Sequence, residues 1–244
     1  MQHLAVGDAV PQVTFKTRQG NEWVDVTTDD LFANKKVILF ALPWAFTPTC
    51  SSTHLPRYNE LASTFKKEGV DDIICLSVND TFVMNAWAED QHAENVTFVP
   101  DGNGDFTKGM GFLVDKADLG FGPRSWRYSM LVNNGVIEQL FVEPDEPGDP
   151  FKVSDADTML EYINKDAELP KRVTVMTKPG CPHCTRAKAA LTEAGYKYEE
   201  IELGSGGLSY SSLAAVTGKG TTPQVFIEGE LIGGADDLEA YLAK

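Results

Sequence analysis

Apolar residues along the chain gather in short runs whose spacing alternates between two periods. "KKVILFAL" ending at Leu42 is nearly continuous, the pattern of a strand buried on both faces. "HLPRYNELASTFKKEG" places its apolar side chains three and four apart and closes on Gly69, which predicts an amphipathic helix. "DIICLSVN" reads as a second buried strand, and "DTFVMNAWAEDQH" as a capped helix. Farther on, "RSWRYSMLV" and "VIEQLFVEP" flank "NNG", which suits a tight hairpin turn. The first stretch is therefore expected to form an α/β sandwich with an antiparallel edge.

After the amphipathic "DADTMLEYI", the polar "NKDAELPKR" interrupts the pattern, which then resumes on a smaller scale. Strand "RVTVMTK", a helix from Cys181, strand "YKYEEIEL", a helix around "SSLAAVTG", hairpin "QVFIEGELIGG" and helix "DDLEAYLA" follow in order. That βαβαββα order predicts a thioredoxin-like layer. The expected organisation is one domain over 1–165, a linker over 166–171 and a second domain over 172–244. No sequence repeat relates the two.

Composition agrees with two domains. The chain has 244 residues, 42% of them hydrophobic, enough to bury two cores. Its net charge of -15 argues against a nucleic-acid partner, which needs clustered Lys and Arg. The charge is uneven: Met1 to Ile163 carries 12 basic and 25 acidic residues (-13), and Asn164 to Lys244 carries 9 and 11 (-2), so composition changes at the proposed linker. "MQHLAVGDAVPQ" has neither the basic nor the apolar part of a secretory signal. The longest apolar run, "VILFALPWAF", is about half of what a bilayer span requires, so no membrane partner and a cytoplasmic location are expected. Four cysteines are too few for a disulfide scaffold and point to a reducing compartment.

Position then separates the cysteines. Cys181 and Cys184, in "TKPGCPHC", follow a strand and open a helix, where unpaired N–H groups and the helix dipole favour an anionic first sulfur. A CxxC thiol in such a place has a pKa of ~3.5–7.5 against ~8.5 for a free cysteine. Half of a zinc site is the rival reading, but no second CxxC or paired histidines complete four ligands, so no metal is expected. His183 reads as an exposed residue that tunes the thiol. Pro223, after Thr222 in "TTPQ", can adopt a cis bond that brings backbone groups beside the sulfur.

"TKPGCPHC", "TTPQVFI" and "GGADDL" together resemble the glutaredoxins in their dithiol form, across essentially all of Arg172 to Lys244. The resemblance implies Cys181 as nucleophile, Cys184 as its partner, and Lys178, Thr222, Pro223, Ala235 and Asp236 around glutathione. That family more often has Val at the position of Thr222, where the contact is through the backbone.

Cys50 ends a PxxxTxxC pattern running from Pro43 through Thr47, and a helix begins there, so an anionic sulfur is again favoured. The stretch resembles the peroxidatic site of peroxiredoxins, and "RSWRYSMLVNNGVIEQLFVEP" resembles the later part of their type-five subfamily. By that resemblance Cys50 attacks the peroxide, Thr47 hydrogen-bonds it, Pro43 shields the sulfur, and Arg127 holds thiolate and developing charge. Without the motif Arg127 would read as a surface ion pair. Cys75, mid-strand, reads as structural, and His54 as a packing or hydrogen-bonding residue rather than a general base. Two departures stand out. Trp44 replaces a common Gly and would either reshape peroxide access or cap an interface. No cysteine lies between Cys75 and Cys181, so the internal resolving cysteine of some relatives is missing.

The whole chain thus resembles a peroxiredoxin–glutaredoxin fusion, a hybrid known from bacteria. The resemblance implies an α/β protein with two thioredoxin-like domains, an N-terminal peroxiredoxin fold and a C-terminal glutaredoxin fold. Its implied activity is a glutathione-dependent peroxidase acting on hydrogen peroxide and alkyl hydroperoxides. Glutathione would be the reducing co-substrate, with no tightly bound cofactor, in a homo-oligomer (dimer or tetramer). A redox sensor signalling through Cys50, or an iron–sulfur carrier using Cys181, are the alternatives.

Overall fold

The computed structural model describes residues 3–146, 148–204 and 208–244. It divides into two compact units, Met1–Glu168 and Leu169–Lys244.

The first unit opens with a hairpin, β1 (Thr14–Gln19) and β2 (Glu22–Thr27), and a short helix α1 (Thr28–Phe32). Then come β3 (Lys36–Leu42), α2 (Leu55–Lys67), β4 (Asp72–Ser77), α3 (Thr81–Asp90) and β5 (Thr97–Pro100). Helix α4 (Asp105–Met110), a small ribbon of β6 (Leu113–Asp115) and β7 (Pro123–Ser125), β8 (Tyr128–Asn133), β9 (Val136–Val142) and α5 (Ala156–Asn164) complete it. The main sheet runs β5-β4-β3-β8-β9, parallel among β3, β4 and β5 and antiparallel beyond β3.

β3 is continuously apolar because both its faces are covered. Ile38, Phe40 and Leu42 pack with Leu55, Tyr58 and Leu61 of α2, whereas Val37, Leu39 and Ala41 pack with Phe32, Phe106 and Met130. The Asn134–Gly135 turn has both residues at positive φ, 48° and 77°, as a two-residue hairpin requires.

"RSWRYSMLV", expected as one strand, is two. β7 pairs with β6 and β8 with β3, and Trp126 and Arg127 occupy the change of partner. The Trp126 N–H turns to the Phe112 carbonyl (2.8 Å), and the Arg127 carbonyl accepts from Glu143 N–H (3.1 Å). The break sets Arg127 beside the end of β3, one residue before Tyr128, which pairs with Ala41.

The second unit runs β10 (Val173–Thr177), α6 (Pro182–Glu193), β11 (Glu199–Glu202), α7 (Tyr210–Thr217), β12 (Gln224–Ile227), β13 (Glu230–Gly233) and α8 (Ala235–Leu242). Its sheet order is β11-β10-β12-β13, with β10 and β11 parallel and the other pairs antiparallel. Val173 and Val175 pack on Ala187 and Leu191 of α6 and Leu238 of α8, while Met176 meets Leu203 and Leu213. The strand expected across "YKYEEIEL" is shorter than its apolar pattern suggested, since only Glu199–Glu202 pair with β10. Among the described residues no helix is long and apolar enough to cross a membrane.

Candidate active site

Cys50 lies just after β3, in a helical run that begins at residue 48, so it is third in the run rather than at its first position. From Cys50 to His54 the helix widens into a single π turn, in which Leu55 N–H bonds the Cys50 carbonyl five residues back. Pro56 gives the local reason. It has no N–H to donate, and its ring would crowd the carbonyl four residues earlier in an ordinary α turn. One-turn π bulges of this kind favour functional sites. Phe46, three residues after Pro43, adopts φ 63°, a conformation bulky side chains seldom take outside such sites.

The Cys50 side chain is fully buried, and Arg127 is 1% exposed. Arg127 Nη2 donates to Cys50 Sγ at 3.5 Å. The same guanidinium donates from Nε to Asp149 Oδ1 at 3.2 Å, makes a close ion pair from Nη2 to Asp149 Oδ2, and reaches His54 Nδ1 from Nη1 at 3.0 Å. Phe151 covers it, the guanidinium carbon 5.6 Å from the ring centre. Burial opposes this charge, but the Cys50 sulfur and the Asp149 carboxylate together raise the Arg127 pKa above its ordinary value.

His54 completes the arrangement as a neutral imidazole. Burial first, and then the adjacent Arg127, hold its pKa well below the ordinary 6.5, although its bond to the Ser154 carbonyl works the other way. Nε2 lies 3.1 Å from that carbonyl, so Nε2 carries the proton and Nδ1 accepts from Arg127. Tyr58 Oη also donates to the Ser154 carbonyl (3.0 Å). The segment is fixed from behind by buried Glu143, whose carboxylate accepts from the N–H groups of Lys152, Val153 and Ser154 at 2.8–2.9 Å and from the Ser154 hydroxyl at 2.7 Å.

A cavity of about 350 Å³ opens against this cluster, lined by Pro43, Trp44, Leu119, Trp126, Arg127, Asp149 and their neighbours. Trp44 stacks on Phe121 with ring centres 4.3 Å apart. Thr47 Oγ1 donates to the Trp44 carbonyl at 3.2 Å, which leaves its oxygen free to accept. Cys75 is fully buried, and burial first, with the nearby Cys50 second, pushes its thiol pKa well up.

In the second unit Cys181 is the N-cap of α6, and its sulfur accepts from Cys184 N–H at 3.3 Å. The Thr222–Pro223 bond is cis, and both the Thr222 carbonyl and its hydroxyl lie 3.7 Å from Cys181 Sγ. Burial works against a charge on Cys181, but hydrogen bonds from the Cys184 thiol and N–H and from the Thr222 hydroxyl outweigh it and lower its pKa. Burial and the neighbouring Cys181 raise that of Cys184. The two differ little in exposure, 5% and 3%, so hydrogen bonding rather than depth distinguishes them. Lys178 and His183 are exposed, and Pro223 and Ala235 buried. Asp236, at the start of α8, is held by Arg186, which also pairs with Glu239 at 2.9 Å. Among the described residues no group of three or more His, Cys, Asp or Glu side chains is placed to hold a metal ion.

Residues 5–160 match the Redoxin family model and 173–232 the Glutaredoxin model. Hybrid peroxiredoxin hyPrx5 of Haemophilus influenzae is 65% identical over 97% of this chain and 98% of its own length. The chain is a peroxiredoxin with a fused glutaredoxin domain. A peroxiredoxin of Synechocystis is 57% identical over 67% of this chain and 93% of its own. Reduced Prx3 of Vibrio vulnificus in complex with hydrogen peroxide superposes with a TM-score of 0.62 at 45% identity, covering 66% of this chain and 99% of that one. The fusion is accordingly a peroxidase of the oxidoreductase class, and both its domains are thioredoxin-like.

In the peroxiredoxin domain Pro43, Cys50 and Arg127 come together, with Thr47 held on the same loop. Asp149, Glu143 and Ser154 belong to the cluster but escaped sequence reading. They lie in and beside "EPDEPGDPFKVS", which looks like a solvated acidic turn. The available signal was weak: a run of acids broken by prolines, in a chain with a buried arginine to neutralise.

Two expectations follow. The neutral His54 adds stability above pH ~6.5 that is lost as pH falls, because the unfolded chain takes up the proton first, at up to about 1.4 kcal/mol per pH unit. Urea unfolding at pH 7 and pH 5 should show a smaller acid loss in His54→Gln than in the parent, and equal losses would contradict the assignment. Alkylation followed by mass spectrometry should modify Cys181 at a lower pH than an ordinary thiol and Cys184 only at a higher one; the reverse order would refute the geometry described.

Proposed function

We propose that the fusion is a glutathione-dependent peroxidase in which Cys50 reduces hydrogen peroxide or alkyl hydroperoxides and the glutaredoxin domain recycles it. One observation carries the reading: the Cys50 sulfur is hydrogen-bonded at 3.5 Å to a buried guanidinium that also lines the cavity.

The Cys50 thiolate attacks the peroxide oxygen farther from the organic group. An S–O bond forms as the O–O bond breaks, sulfur is oxidised, and the departing alkoxide or hydroxide takes a proton from water to leave as alcohol or water. Arg127 N–H groups face the charge that develops on the departing oxygen, and the Thr47 oxygen accepts from the peroxide O–H. Pro43, buried in the cavity wall with Arg127, limits water. Glutathione thiolate then attacks the Cys50 sulfenic acid, giving a mixed disulfide and, with a proton, water. The Cys181 thiolate attacks the glutathione sulfur of that disulfide and releases Cys50 as thiolate. A second glutathione frees Cys181 as oxidised glutathione. Lys178, the Thr222 backbone, Pro223, Ala235 and Asp236 would hold glutathione. Asp236 can do so once it exchanges or shares its partner Arg186.

We place this cycle in the cytoplasm and, from exposed aromatic side chains at Trp23, Phe46 and Phe82, in a homo-oligomer. Residues 166–171 serve as tether, raising the local concentration of reductase.

The cavity bears on the peroxide. Its ~350 Å³ far exceeds the roughly 30 Å³ that a water molecule, the nearest small analogue of hydrogen peroxide, occupies in the liquid, and Trp44, Leu119 and Trp126 give it apolar walls. Such a space fits the organic part of an alkyl or aryl hydroperoxide.

Steady-state peroxide consumption with glutathione as sole reductant tests the cycle. Cys50→Ser and Cys181→Ser should each lose nearly all turnover, whereas Cys184→Ser should keep most of it, since glutathione itself resolves Cys181. Turnover surviving in Cys50→Ser would refute the peroxidatic assignment, and its loss in Cys184→Ser would replace the monothiol route by a dithiol one. Trp44→Gly should lower the rate with cumene hydroperoxide several-fold more than with hydrogen peroxide; equal effects would remove Trp44 from substrate selection.

A further inference from the structure

The reduced site contains one buried cation and two groups able to balance it. Arg127 is 1% exposed, and its guanidinium meets Cys50 Sγ, neutral His54 and the carboxylate of Asp149. Only the first of these charges takes part in the proposed chemistry. When the Cys50 thiolate gives an electron pair to peroxide oxygen and becomes a sulfenic acid or a mixed disulfide, its negative charge is gone. His54 supplies none in exchange, since it is held neutral. A buried guanidinium left with neutral partners is costly, and the cost is greatest when a single partner is removed from an otherwise intact ion pair.

Asp149 resolves this. It grips Nε and Nη2 together, the two-point geometry that fixes a guanidinium plane, and Nη2 is the same nitrogen that bonds the sulfur. Its carboxylate is 33% exposed on the cavity wall, so solvent lessens the cost of keeping it charged beside the thiolate. The loop that carries it is secured by Glu143 through the N–H groups of residues 152–154. Cys75, another titratable group close to Cys50, is an uncharged thiol.

We propose that Asp149 is a positioning residue, the permanent counter-ion that keeps Arg127 aimed and paired after Cys50 has lost its charge. This rests on Cys50 being the reacting thiol. The hydrogen bonds of Asp149 go to Arg127. It acts through Arg127, by holding Nη2 toward the sulfur and by preventing the guanidinium from turning to solvent when the thiolate disappears.

A double-mutant cycle in the full-length chain separates this role from ordinary structural support. Cys50→Ser leaves the sulfur's position with a neutral group, as oxidation does. The drop in melting temperature caused by Asp149→Asn, read on the transition of the unit carrying Cys50, should be at least twice as large in the Cys50→Ser background as in the parent at pH 8. Asp149→Glu, which retains the charge, should show little of this coupling. In chains with Cys50 intact, Asp149→Asn should slow Cys50 oxidation, followed by stopped-flow tryptophan fluorescence, between about ten- and a hundredfold. Equal melting losses in the two backgrounds, or an unchanged oxidation rate, would overturn the proposal. Peroxide consumption persisting in Cys50→Ser would instead count against the function assigned to Cys50, while the coupling of Asp149 to position 50 would still be read from the melting curves.

Discussion

Everything around Cys50 depends on keeping a positive charge out of water. A guanidinium this deeply buried must direct its donors at acceptors that cannot move, because each one left unpaired carries a desolvation cost. The acceptors are fixed in turn. His54 is set by the Ser154 carbonyl, Ser154 by Glu143, and the guanidinium face by Phe151. The consequence is a sulfur and a cation held in one geometry before any peroxide arrives, which is what electrostatic stabilisation of a short-lived charge requires.

That network also explains where sequence reading succeeds and where it stops. β3 is legible because burial on both faces leaves it no polar position after Lys36, and α2 because its apolar residues share one side. The hairpin of β1 and β2 went unread, since a half-exposed ribbon offers few apolar positions to mark it. The break at Trp126 and Arg127 is invisible in a run of strand-forming residues, because it is set by partners distant in sequence, Phe112 and Glu143. Arg127 itself emerged through resemblance to a family rather than through pattern, and Asp149 did not emerge at all. An ion pair between residues 22 apart has no local signature.

The two thiol sites begin from the same device, a cysteine in the first turn of a helix that follows a strand, and then diverge. Cys50 gains a fixed cation. Cys181 instead relies on hydrogen bonds from Cys184 and Thr222. The difference suits the chemistry proposed for each. Breaking an O–O bond puts charge on a leaving oxygen, so donors with full positive charge are most effective there. Exchange between disulfides puts charge on sulfur, which tolerates it well, and depends more on the relative acidity of the attacking and leaving thiols.

Separating the tasks also resolves a conflict in exposure. A sulfur that attacks peroxide, the role proposed for Cys50, works best desolvated, and Cys50 is fully buried next to a cavity wall of Arg127, Pro43 and Trp44. A reductase thiol must meet a disulfide on another surface, and around Cys181 the side chains of Lys178, Pro182 and His183 are exposed. One pocket cannot be closed enough for the first and open enough for the second. In the proposed cycle glutathione, small and flexible, would carry the oxidised state from Cys50 to Cys181. The proposed cycle has no use for a resolving cysteine in the peroxiredoxin domain: with glutathione as carrier and a fused thiol as acceptor, a second thiol beside Cys50 would add a group to bury and nothing the cycle needs.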